Sequence, residues 1–223
     1  MIKALIFDFD GLIIDSESPE FQVWQDAFAE QGHELGFELW ADLVGRPPNH
    51  FDLYDYFHRQ INPSVNIEEF RKERRARVVA LTEAQPVLPG VHDYLRDAAR
   101  IGLKIGLASS SSGNHVRGHL SRLDLLRYFH TTKCFEDTDT HKPAPGPYRA
   151  VLEALGVEPA ETVAFEDSPN GVTSAQAAGI FCVAVPNPVT SRLPLEHADY
   201  QMASLADEPL EQILARAGDA GRR

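Results

Sequence analysis

A short apolar strand that ends in two acids one residue apart constrains this chain more than any other feature. The run Ala4-Leu5-Ile6-Phe7 is rich in strand formers, which predicts a strand of a parallel sheet, buried on both faces. It opens directly onto Asp8-Phe9-Asp10-Gly11. In open α/β sheets, ligands bind beyond the carboxyl ends of the strands, so both carboxylates fall where such a fold keeps its chemistry. Residues i and i+2 of a strand point the same way, and a glycine just after them lets the backbone turn sharply over a ligand. Two like charges held together need a cation, or else one of them takes up a proton. Asp-Gly is also a common turn signal, so simple capping of a turn competes with chemistry here. The placement at a strand end favours chemistry.

Three later segments repeat the pattern of an apolar strand opening onto polar residues: Leu103 to Ser112, Thr162 to Asp167 and Phe181 to Pro186. Helical patterns over Val91 to Ile101 and Tyr148 to Leu155 lie between strands. Strands alternating with helices predict right-handed crossovers and a doubly wound, Rossmann-like parallel sheet. The stretch between the first two strands is too long for one crossover, since a whole βαβ unit takes about 30 residues. It carries Phe21, Trp24 and Phe28 at helical spacing, a charged amphipathic pattern over Ile67 to Leu81, and no strand-like run. An all-helical insertion over 15–85 is therefore expected, with 1–14 and 86–223 forming the α/β core. Pro86-Val87-Leu88-Pro89-Gly90 resists helix and reads as the return linker. An insertion leaving from beside Asp8 and Asp10 is expected to lie over them as a lid. Pro209 to Ala217 reads as a short closing helix, followed by a frayed end from Gly218 to Arg223.

Charge and composition narrow the class. A net charge of −12 argues against nucleic acid or an anionic membrane as partner, because neither offers countercharge. The two cysteines, Cys134 and Cys182, sit in apolar stretches and suit small buried side chains in a reducing compartment. The first strand follows the initial Met almost at once, with no basic segment for export, and no apolar run reaches membrane-spanning length. These features predict a soluble, cytoplasmic protein, taken as a monomer.

The other strand ends add chemistry. Ala108-Ser109-Ser110-Ser111-Ser112-Gly113-Asn114 offers hydroxyls and successive backbone N–H groups to an anionic oxygen, although taken alone a serine-rich turn that caps the next helix is the better reading. His141-Lys142-Pro143-Ala144-Pro145 presents an ammonium in an extended stretch, suited to a phosphoryl group. Glu166-Asp167-Ser168-Pro169 ends the third strand in a second acid pair, with Ser168 as an N-cap and Pro169 opening a helix that Gly179 ends. Hard carboxylate oxygens suit Mg²⁺ and make a poor Zn²⁺ site. No nucleophile elbow and no P-loop is present. Acids, hydroxyls, amides and one lysine together suit phosphoryl transfer, where catalysis rests on positioning and charge neutralisation.

With these four motifs in order, the chain resembles the haloacid dehalogenase superfamily phosphohydrolases whose helical cap is inserted after the first motif. The resemblance spans nearly the whole chain, including Asp15-Ser16-Glu17 on the way out and Pro86 to Val91 on the return. It implies that Asp8 is the nucleophile and that Asp10 protonates the leaving oxygen and then deprotonates water. It implies Mg²⁺ held by Asp8, the backbone carbonyl of Asp10 and Asp167, with Glu166 as a further ligand or a neighbour of the ligands. Ser109 and the Ser110 amide would grip phosphoryl oxygens, and Lys142 would offset their charge.

Within that family, members that remove halogens or cleave phosphonates lack an acid at the position of Asp10. Mutases similar to β-phosphoglucomutase carry a cap histidine shortly after the first motif, where this chain reads Ser16-Glu17-Ser18-Pro19-Glu20-Phe21. Water is therefore favoured as acceptor, with a sugar phosphomutase as the alternative and a non-catalytic phosphometabolite sensor behind it. The expected substrate is a small phosphorylated metabolite, with Glu20 and Arg46 of the cap assigned to substrate contact. Trp24, Phe21 and Phe28 read as cap core. Arg71, Arg74, Arg75 and Arg77 read as a solvated basic face paired with Glu68, Glu69 and Glu73. His50, His58 and His115 receive no role.

Overall fold

The computed structural model describes residues 1–44 and 52–220, and the chain divides into two compact units, Met1–Asp15 with Pro86–Arg223, and Ser16–Gln85. The first unit is a three-layer α/β fold. Strands β1 (Ala4–Phe7), β2 (Lys104–Ala108), β3 (Thr131–Lys133), β4 (Thr162–Glu166), β5 (Phe181–Ala184) and β6 (Tyr200–Gln201) form one sheet in the order β3-β2-β1-β4-β5-β6. Every pairing is parallel. The chain builds outward from β1 through β2 to β3, then returns to lay β4 on the other side of β1. The strand order thus reverses at β1, which opens a crevice at its carboxyl end.

The sequence of β1 shows why it lies at the centre. All four of its residues are fully buried, and alternate side chains serve opposite faces. Leu5 and Phe7 join a core cluster with Val91, Tyr94 and Leu95 of α5 (Val91–Arg100) and with Ile213 of α9 (Leu210–Ala220). Ala4 and Ile6 join the other cluster with Tyr148 and Val151 of α7 (Gly146–Leu155) and Val172 of α8 (Pro169–Ala177). An apolar strand without polar alternation is what a sheet covered on both faces requires. Helix α6 (Gly113–Arg122) follows β2 and is capped by Ser112, whose hydroxyl accepts from the His115 amide at 3.4 Å.

The second unit consists, among the described residues, of helices: α1 (Glu17–Ala29), α2 (Phe37–Val44), α3 (Leu53–Tyr56), a π-helical turn Phe57–Ile61, and α4 (Ile67–Glu83). Trp24 packs against Phe28, Tyr54, Phe57 and Phe70. Arg71, Arg75 and Arg77 of α4 are exposed, as expected of a solvated face, but Arg74 is not, and the acids that pair with these arginines differ from the expected ones. Arg74 is buried and pairs with Glu20 of α1 at 2.9 Å, while its Nε donates to the Tyr54 hydroxyl at 2.6 Å. Arg71 pairs with Asp52, and Arg77 with Asp26 and Glu30. These partners lie outside α4, because cross-element packing brings acids closer to these guanidinium groups than the glutamates of their own helix.

Two other expectations need correction. Strands β3 and β6 went unread, being three and two residues long and not apolar. The closing helix runs to Ala220 instead of fraying from Gly218, since Leu210, Ile213 and Ala217 anchor one face in the core.

Candidate active site

Sheet register brings the acids together. Phe7 pairs with Leu107 on one side and Phe165 on the other. One step further along come Asp8, Ala108 and Glu166, so the ends of three adjacent strands share one floor. The backbone N–H of Asp8 donates to the Phe165 carbonyl at 3.0 Å, which fixes the first residue beyond β1. Asp8, Glu166 and Asp167 are all buried, and each offers an oxygen within 4.8 Å of the others.

Lys142 supplies the cation. Its ammonium donates to Asp8 Oδ1, and to Glu166 Oε1 at 2.6 Å. The same Oε1 accepts from the Tyr148 hydroxyl at 2.5 Å. Burial drives the Asp8 carboxyl up to about 8 against the opposing pull of Lys142. Attraction to Asp8 and Glu166 raises the Lys142 ammonium despite its burial. Burial likewise holds the Tyr148 hydroxyl well above its usual range, so it stays a hydrogen-bond donor.

Two glycines make room for this packing. Gly11 has a φ of +80°, and a Cβ there would stand 2.2 Å from Asp167 Oδ2 and 2.5 Å from the Asn187 amide nitrogen. A Cβ on Gly171 would stand 1.9 Å from Glu166 Oε2. Either substitution would push a carboxylate out of the cluster. Asn187, just beyond β5, donates to Asp167 Oδ2 at 2.8 Å and to the Gly11 carbonyl at 3.2 Å.

The cluster suits a divalent cation on two observations. Three carboxylates lie together and two of them share one ammonium, a surplus of two negative charges when all are ionised. Glu166 Oε2 is also buried with no hydrogen-bond partner, a state that natural structures fill with a partner or an ion. All the donors are carboxylate oxygens, which select a hard ion over zinc.

Asp10 has partners of its own on the turn after β2. Its Oδ2 accepts from the Ser111 hydroxyl at 2.6 Å, and its Oδ1 lies 3.1 Å from His115 Nε2. Ser109, at the end of β2, is buried, and its Oγ accepts from the Ser111 amide at 3.0 Å. Ser110 is exposed. Glu20 belongs to the helical unit, where it pairs with Arg74, and Arg46 lies outside the described residues.

Sequence reasoning missed Ser111, His115, Tyr148 and Asn187. Asn187 was the most readable of them, since the logic of strand ends applied to β5 as well, one residue past Pro186. Ser111 lies in the serine-rich turn just before the N-cap of α6 and His115 in the first turn of that helix, and no local pattern marked either as a partner of Asp10. Tyr148 was legible as helix, but nothing in the pattern showed that its hydroxyl turns to Glu166.

Comparison with known proteins bears on this geometry. The model of the family described as haloacid dehalogenase-like hydrolase matches residues 5–185. The chain is 43% identical over 214 residues to a Bacillus subtilis (strain 168) protein named "Putative phosphatase YhcW", covering 96% of this chain and 97% of the other. It is 33% identical to hexitol phosphatase B of Escherichia coli (strain K12), covering 96% and 97%. The crystal structure of β-phosphoglucomutase from Clostridium difficile superimposes with a TM-score of 0.73 at 24% identity over the whole of both chains, a likeness of fold.

Proposed function

This chain belongs to the haloacid dehalogenase-like hydrolase family and is a phosphatase, and from that premise we propose that it hydrolyses a small phosphate monoester, a sugar or polyol phosphate, through a phosphoryl group carried on Asp8. The observation that carries this reading is the different setting of the two acids. Asp8 is buried against an ammonium, whereas Asp10 is half-buried and has a hydroxyl and an imidazole at its oxygens. This difference supports Asp8 as the nucleophile and Asp10 as the proton carrier.

An Asp8 oxygen attacks phosphorus, the ester P–O bond breaks, and the leaving oxygen takes a proton from the Asp10 carboxyl. The Asp10 carboxylate then takes a proton from water as that water attacks phosphorus. The Asp8–phosphorus bond breaks, and inorganic phosphate departs. Lys142 neutralises the phosphoryl oxygens and is kept in place by Glu166 and Tyr148. The Ser109 hydroxyl and Ser110 amide bind those oxygens at the end of β2. Mg²⁺, held by Asp8, Asp167 and the main-chain carbonyl of Asp10 with Glu166 beside it, supplies further charge neutralisation when bound. The helical unit is assigned to substrate selection as a cap. The similarity to hexitol phosphatase B supports a phosphorylated polyol or sugar.

Inorganic phosphate release across a panel of phosphorylated sugars and polyols tests the reading, each with and without Mg²⁺ and beside Asp8→Asn. Turnover that requires both the metal and Asp8 is expected. Isomerisation of β-glucose 1-phosphate without phosphate release would replace hydrolysis with the mutase reading.

A further inference from the structure

The Asp10 carboxyl is gripped at both oxygens by one segment, the turn from β2 into α6. Ser111 Oγ meets Oδ2 at 2.6 Å and His115 Nε2 meets Oδ1 at 3.1 Å. That segment is itself held rigidly. Ser112 caps α6, the Gly113 amide donates to Glu136 Oε2 at 2.9 Å, and the Phe135 amide donates to the Ser111 carbonyl at 2.9 Å. The His115 ring is also fixed, packed edge-to-face on the fully buried Phe9 at 5.6 Å and against His119 at 4.7 Å. Phe9 is the residue between the two acids, so the ring that locates His115 belongs to the motif that His115 serves. The Ser111 amide in turn donates to Ser109 Oγ, which joins the grip on Asp10 to the hydroxyl assigned to phosphate.

We propose that His115 is a positioning residue that, together with Ser111, holds the Asp10 carboxyl in the orientation from which it exchanges its proton with the leaving oxygen and with water. A carboxyl free to rotate would spend much of its time aimed elsewhere, and small misplacements of a catalytic group are costly in rate. The inference rests on the reading of Asp10 as the acid and base.

Leaving-group dependence tests it. For this chemistry kcat/KM reports steps up to departure of the alcohol, and an alkoxide needs the Asp10 proton far more than p-nitrophenolate does. His115→Phe keeps a ring against Phe9 and His119 but removes the nitrogen. It is expected to lower kcat/KM for an alkyl phosphate such as glycerol 3-phosphate roughly tenfold, the scale of a weakened general acid. For p-nitrophenyl phosphate the loss is expected to be less than about threefold, and that activity also reports correct folding. His115→Gln, whose amide reaches the place of Nε2, is expected to recover most of the alkyl rate, and Ser111→Ala to repeat the alkyl-selective loss. Equal losses on both esters, or none, overturn the proposal. Asp10→Asn separates the two levels. If it shows the alkyl-selective loss while His115→Phe does not, only the role of His115 falls. If Asp10→Asn itself shows none, the acid–base reading falls and takes this inference with it.

Discussion

Two buried-charge clusters among the described residues differ in kind. In the α/β unit, Asp8, Glu166 and Asp167 lie together and Lys142 pairs with the first two, three acids to one base. In the helical unit, Arg74 meets Glu20 one to one, and its guanidinium also lies over the rings of Trp24 at 4.8 Å and Tyr54 at 5.1 Å. A balanced, aromatic-lined pair is what buried charge needs for structure alone. An unbalanced cluster is not, since each surplus charge lowers stability until a ligand offsets it. The surplus marks the strand-end cluster as a place for binding, and the balance marks the Arg74 pair as part of its unit's framework.

The sharpest way to break this comparison is to remove the one base of the surplus cluster. Lys142→Met keeps the length of the side chain and deletes its charge. It is expected to lower kcat by about 10²–10³-fold, the cost of one preorganised electrostatic group in a water-poor site. Steady-state phosphate release measures it. A loss below tenfold would mean that Lys142 only balances charge in the resting protein.

Cation binding should come next in size. The Asp8 carboxyl, pushed up to about 8, binds a proton in the folded chain over a range where the unfolded chain does not. In that range, from about pH 4 to pH 8, the folded state holds more protons, so this group's contribution falls as pH rises. Without metal, wild type measured relative to Asp8→Asn should therefore lose stability between pH 5 and pH 8. Mg²⁺ at 100 times its dissociation constant adds about 2.7 kcal/mol, or roughly 5–10 °C in Tm for a chain of this size. The gain should be larger at pH 8, where Asp8 yields its proton readily, than at pH 5. Thermal melts at the two pH values, with and without Mg²⁺, decide it, and an equal shift at both would detach Asp8 from the metal.

Asn187 sharpens the same point from one layer further out. It orients Asp167 from beyond β5, and loss of such a support typically weakens metal binding about 10–100-fold. Asn187→Ala should raise the Mg²⁺ concentration for half-maximal activity by that factor and leave kcat at saturating Mg²⁺ little changed. A Mg²⁺ titration of activity reads both.

What the sequence showed of this site, and what it hid, follows the range of each interaction. Asp8, Glu166 and Asp167 were readable because each sits within two residues of an apolar strand's end, a local signal with one structural meaning. Lys142 was readable only in company with the acids. The contacts that orient these groups were not readable. Asp10 to His115, Asp167 to Asn187 and Glu166 to Tyr148 are made by sheet order and helix packing, which no local pattern encodes. Strand β3 shows the same limit in the fold, since Thr131-Thr132-Lys133 is a strand because Gly106 to Ala108 offers it an edge. The burial of Arg74 and the partners of the α4 arginines were hidden for that reason too, while Arg71, Arg75 and Arg77 are exposed as expected. Helical spacing showed glutamates near them, while the acids that pair with them come from other elements.

The balanced pair carries the smallest and most diagnostic prediction. Its two members differ in burial: the Arg74 side chain is 10% exposed and that of Glu20 is 32% exposed. Removing the acid strands a charge that water hardly reaches, whereas removing the base leaves a carboxylate that water can solvate. Glu20→Gln should therefore destabilise by about 2 kcal/mol, and Arg74→Met, which also keeps apolar contact with Trp24, by about 1 kcal/mol or less. Denaturant melts of both singles and the double variant measure the order and the coupling. If Glu20 instead meets substrate, Glu20→Gln will raise KM several-fold with the melt unchanged. In that case the pair is a second binding feature, and the contrast between the two buried-charge clusters disappears.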